Sequence, residues 1–143
     1  MIDSSDHHET VRAWMSRAAG LPSDQLAHLF EQAVSVLWRR ACPTLGDVTL
    51  TAIADRVLYN AAEKFPVFDA LKLSADGVDY AEFRERAGRL SDRELTGGVQ
   101  FVLVELLTVI GNLTADILTP ALHAELSKVT KDALGPGSGE GKP

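Results

Sequence analysis

Apolar residues recur along this chain in steps of three and four almost from end to end, the period of α-helices that each bury one face. Val11, Trp14, Met15 and Ala18 form the first stripe. Asp6, with Glu9 three residues on, makes a capping box that predicts its start, and Gly20-Leu21-Pro22 its stop. The second stripe starts after Ser23 and holds Leu26, Leu29, Phe30, Ala33, Val34, Leu37 and Ala41, with Trp38 at its edge. Pro43 and Gly46 predict a loop. A third helix is expected from Asp47 or Thr49 to Lys64, with Leu50, Ile53, Ala54, Val57, Leu58, Ala61 and Phe65 inward. Phe65 precedes Pro66 and so avoids the helical region, which ends it.

The stretch 67–78 reads as a short helical turn or an extended segment, in which Val67, Phe68, Leu71 and Leu73 are expected to find packing partners, with no face assigned. Asp79 and Glu82 form a second box, opening a short helix to Leu90 that faces Tyr80, Phe83, Ala87 and Leu90 to the core. Ser91 and Glu94 form a third, opening a long helix to Leu118 in which Gly97-Gly98 predict a kink. Thr119-Pro120 reads as an N-cap and first residue of a last helix, with Leu122, Leu126, Val129 and Ala133 inward. No strand pattern and no internal repeat stand out. The expectation is all-α: a bundle of five to six helices around a long apolar helix at about 91–118, forming one domain over 1–134. The Gly/Pro-rich stretch 135–143 is expected to be a flexible tail.

The long helix is apolar on most of its circumference. One face carries Leu95, Val99, Val102, Leu106, Val109, Ile110, Leu113 and Ile117; a second carries Phe101, Val104, Leu107 and Leu118, with Leu103 between them. Such a helix must be covered on several sides, either as the centre of a bundle or by a partner. The second reading makes Phe101, Val104, Leu107 and Leu118 an interface, most simply with another copy. On that reading, charged residues at Val104 and Leu107 abolish association and leave helicity intact. A polar stripe also follows this helix through Glu105, Thr108, Asn112, Asp116 and Thr119 to His123. It is either a strip facing solvent or a polar line in a groove, where Glu105, Asn112, Asp116 and His123 would hold a small ligand.

Composition narrows the classes. The 143 residues are one domain's worth, and 45 % hydrophobic with 24 % charged is a globular balance. A net charge of −6 argues against a nucleic-acid partner or a polybasic membrane contact. The single cysteine, Cys42, forms no internal disulfide and points to a reducing, cytoplasmic setting. Residues 1–8 are polar, unlike a signal peptide, and Gln100, Glu105, Asn112 and Asp116 disfavour a membrane span.

Chemical motifs are sparse. Asp76-Gly77-Val78-Asp79-Tyr80-Ala81-Glu82-Phe83 has the outline of half a calcium loop, but its glycine and glutamate are five apart instead of six and no acids precede it. No pair among His7, His8, His28 and His123 has the spacing of a helical zinc site, and His7 and His8 read as a frayed terminus. Phosphate loops, dinucleotide fingerprints and nucleophile elbows are missing from the sequence, so no metal and no cofactor is expected. Thr49–Tyr59 has the outline of the first helix of a helix-turn-helix, without a recognition helix after it. The expected function is a non-enzymatic regulatory or signalling module that binds another protein, most simply as a homodimer. A small-molecule sensor is the alternative, and an enzyme using the acids of the long helix comes third.

Overall fold

The computed structural model describes residues 4–18, 20–74 and 77–129; the expected tail at 135–143 lies outside them. Its elements are α1 (Ser4–Arg17), α2 (Ser23–Lys64), a 3-10 turn (Pro66–Ala70), β1 (Lys72–Ser74), β2 (Gly77–Asp79), α3 (Ala81–Ala87), α4 (Asp92–Leu113) and α5 (Thr119–Lys128). The all-α expectation holds, with one small addition. Within 67–78 the chain makes the 3-10 turn and then an antiparallel hairpin of three-residue strands, Lys72 opposite Asp79 and Ser74 opposite Gly77.

The two helices expected on either side of Pro43 and Gly46 are joined end to end. Helical bonding continues past Pro43, and only Gly46 leaves the helical region, at φ 84° and ψ 161°. That backbone is open to glycine and strained for residues with a Cβ. α2 is therefore two arms meeting at a sharp bend. Both arms pack on α4, while α1 lies against α4 and α5, and α5 against α2.

α4 sits at the centre of the core. Ser91 caps it as expected: the Glu94 amide donates to Ser91 Oγ at 3.2 Å and the Glu94 carboxylate accepts from the Ser91 amide. The other two boxes shift. α1 already runs through Asp6, which sits in its first turn, where a negative charge suits the helix dipole. Asp79 accepts from the Ala81 amide at 3.0 Å, two residues on, and α3 starts at Ala81.

No kink forms at Gly97-Gly98, and α4 runs unbroken. The glycines instead let aromatic rings approach. A Cβ on Gly98 would lie 2.3 Å from Phe68 Cε2, and one on Gly97 3.3 Å from Phe65 Cε1. Phe68 is the hub of a ring cluster, 5.8 Å from Phe30 and 5.3 Å from Phe83. Tyr80 reaches Phe30 and Phe83 from the edge of this cluster.

The long helix also ends earlier than expected. α4 stops at Leu113, because Ala115 (φ 51°) and Asp116 (φ 63°) turn left-handed. The Asp116 amide donates to the Gly111 carbonyl at 2.7 Å, satisfying an end carbonyl of α4. α5 then starts at Thr119, one residue before the predicted position for its first turn, with Leu118 as its cap.

Candidate functional site

The corner where α4 turns into α5 gathers polar side chains. His7, on α1, is almost fully buried at 3 % exposure. Its Nδ1 lies 3.0 Å from Nε2 of His123 on α5, and the rings stand edge to face with centroids 5.1 Å apart. That separation is close to the bond length plus the two ring radii, so the nitrogens face each other nearly in line, as a hydrogen bond requires. Nδ1 of His123 lies 3.2 Å from Thr10 Oγ1. In the corner itself, Thr119 Oγ1 donates to Asp116 Oδ1 at 3.0 Å. Gly111 makes room for the group: a Cβ there would meet Asp116 Oδ1 at 2.8 Å, Thr119 Oγ1 at 3.1 Å and His7 Nε2 at 3.5 Å.

The helical register explains the meeting. His7, Val11, Trp14 and Ala18 follow each other at steps of four, three and four, so His7 continues the buried face of α1. It is an ordered, buried residue and not part of a frayed end. Burial holds the His123 imidazole below the usual histidine range, and the nearby His7 adds to this; Asp6 and Asp116 oppose it.

Of the predicted polar line, the corner unites Asp116 and His123. Glu105 is half-buried two turns further back along α4, and Asn112 is exposed to solvent, so neither joins them. Among the described residues no group of three or more His, Cys, Asp or Glu is arranged to hold a metal ion.

The expected interface fares differently. Val104 (5 % exposed) and Leu107 (fully buried) lie in the chain's own core, and Phe101 and Leu118 are half-buried against it. The two arms of α2 and the helices α1 and α5 cover α4 from both sides, so a partner cannot reach Val104 or Leu107 in the folded chain. A charge at Leu107 would be buried without a partner, and Leu107→Glu is expected to unfold the protein. Circular dichroism tests this directly: retained helicity would contradict it.

Apolar surface is exposed elsewhere. Tyr59 (66 % exposed) and Leu113 (57 %) line a groove between the second arm of α2 and the end of α4, together with Ala52, Ile53 and Val109. Asp55 and Arg56 stand on its α2 side. Val48, one turn before Ala52 on α2, is 85 % exposed, and Ile117, four residues beyond Leu113, is 80 % exposed. Hydrophobic spacing alone places Leu113 and Ile117 on a covered face; the early end of α4 leaves both outside.

Two other groups are structural in their geometry. Cys42 Sγ donates to Asp47 Oδ1 at 3.1 Å across the α2 bend; that bond, with burial and the aspartate charge behind it, pushes the thiol up and away from the reactive thiolate. Glu31 pairs with Arg84 Nε at 3.1 Å, tying α3 to α2, and burial pushes its carboxyl up against the pull of Arg84 and His28.

Arg93–Leu113 is long and apolar enough to cross a membrane by length and composition, though 56 % of its apolar window is buried inside this fold. No family model, no curated protein and no solved structure matches the chain.

Proposed function

We propose that this chain is a non-enzymatic interaction module that pairs with a second copy of itself through the groove between α2 and α4. The observation that carries the reading is the exposure of Tyr59 and Leu113 on facing walls of one apolar groove. Large exposed apolar side chains grouped in one place mark interaction surfaces, whereas scattered ones do not. The flanking charges suit a two-fold arrangement. Asp55 and Arg56 are consecutive and of opposite sign, so a copy related by a two-fold axis can set its arginine against the first copy's aspartate and the reverse. A tyrosine beside aliphatic side chains is also the usual composition of an interface centre.

Light scattering on a sizing column across a concentration range tests this. The wild-type chain is expected to run as a dimer, and Tyr59→Glu with Leu113→Glu as a monomer of unchanged helicity. Both positions are exposed, so the substitutions leave the core alone. A wild-type chain that stays monomeric at the highest concentrations overturns the reading, as does a double variant that still dimerises.

A further inference from the structure

We propose that His7 and His123 form an acid-sensitive latch, which fastens the first turns of α1 to the α4–α5 corner at neutral pH and releases them when both rings are protonated. The geometry supports it in three ways. First, the 3.0 Å contact between His7 Nδ1 and His123 Nε2 needs one nitrogen with a proton and one without. The pair can hold this bond with no added proton or with one. With two, both facing nitrogens are N–H donors and both rings are positive, so the contact becomes repulsive.

Second, the pair joins distant parts of the chain, 116 residues apart. The next fastening of α1 to the same side of the fold, Trp14 to Val129, lies two turns further along. This pair, with Thr10 on His123, ties the segment 4–10 to α5.

Third, the surroundings decide the direction. Asp6 on α1 and Asp116 in the corner face the pair and favour protonation, while burial and the mutual charge of the two rings disfavour it. α4 contributes no charged side chain after Glu105. Arg39 and Arg40 of α2 line a separate groove with Glu125, two positions round α5 from His123. With His123 held below its unfolded value, the native state binds fewer protons than the unfolded chain in the interval between the two values. The latch therefore adds stability above that interval, and the stability is lost as the pH falls from about 6.5 downward. This is the range in which endosomal and other acid sensors operate with histidine. None of the groove residues takes part.

Amide hydrogen exchange of the full chain at about pH 7.5 and pH 5, corrected for intrinsic exchange, tests the latch. In the wild type, protection of the amides in α1 is expected to fall by more than about tenfold on acidification, while the inner turns of α4 change little. His123→Gln keeps an amide that can bond to His7 but cannot take a proton, and should hold α1 protection within about twofold across the same range. His8→Gln, at an exposed neighbour, should behave as wild type. Protection of α1 that does not change with pH in the wild type, or that falls equally in His123→Gln, overturns the proposal. Should His123→Gln fail to fold, proton NMR titration of the wild-type rings decides. Two coupled steps for His7 and His123, with His123 below the ordinary histidine range, sustain the latch, and independent ordinary titrations refute it.

Discussion

Phe68→Ala is expected to destabilise the protein by about 3–5 kcal/mol, the usual cost of emptying a buried phenylalanine site. Phe68 is 1 % exposed and touches Phe30, Phe65 and Phe83 at once, so its removal leaves a hole that no single neighbour can fill. The same ring sets the fate of Gly98. Alanine is a better helix former than glycine by roughly 1 kcal/mol, so propensity alone favours Gly98→Ala. Against this, the new methyl would stand 2.3 Å from Phe68 Cε2 and 2.9 Å from Cζ, in a packed cluster that cannot shift freely. Overpacking of this kind costs about 1–3 kcal/mol or more, and it should win. The two changes are coupled: in the Phe68→Ala background the two closest contacts are gone and only Phe65 Cγ, at 3.3 Å, still meets the methyl, so Gly98→Ala should cost much less there than in the wild type. Urea unfolding of the four chains measures the cycle. Additive effects would show that ring and glycine do not touch. Gly88→Ala is the control, since its Cβ would have only ordinary contacts, at 3.7 Å.

Trp14→Ala should be as damaging, again by about 3–5 kcal/mol, and for a second reason besides volume. Trp14 is 1 % exposed, and its indole Nε1 donates to the Val129 carbonyl at 2.7 Å in the interior. Trp14→Phe separates the two contributions. It keeps most of the apolar bulk but leaves the Val129 carbonyl without this donor, which costs about 1–3 kcal/mol. Thermal unfolding followed by helicity measures both. A Trp14→Phe chain as stable as wild type would mean the Val129 carbonyl finds another donor or water.

The sequence made most of the core legible because burial follows helical period. Leu26, Leu29, Phe30, Ala33 and Leu37 are each under 5 % exposed, as the 3–4 spacing requires. The end of α4 was not legible. Ala115 and Asp116 adopt a left-handed turn that glycine would have advertised and these residues do not. Leu113 and Ile117 were therefore assigned to a covered face. Val104 and Leu107 were misjudged for the opposite reason. Pro43 and Gly46 correctly marked an interruption, but the spacing carries no information on how the two arms of α2 fold back, and both arms reach α4.

Half of the polar corner could be read. Asp116, Thr119 and His123 fall on one line at helical spacing, whereas His7 joins them from the far end of the chain. Its one local signal is its place four residues before Val11 on the buried face. The neighbouring polar residues of the N-terminus obscured that signal.

The pairing of α1 with α5 also governs the order of events during synthesis. α1 leaves the ribosome more than a hundred residues ahead of the residues it bonds to, His123, Ser127 and Val129. While the rest of the domain is being made, Trp14 and Val11 have no α5 to lie against, and their apolar face is open to whatever is nearby. Contacts spanning more than a hundred residues close slowly because the intervening loop must first be ordered. The nascent chain is thus most exposed to aggregation just before α5 emerges, and removing α5 would make the exposure permanent.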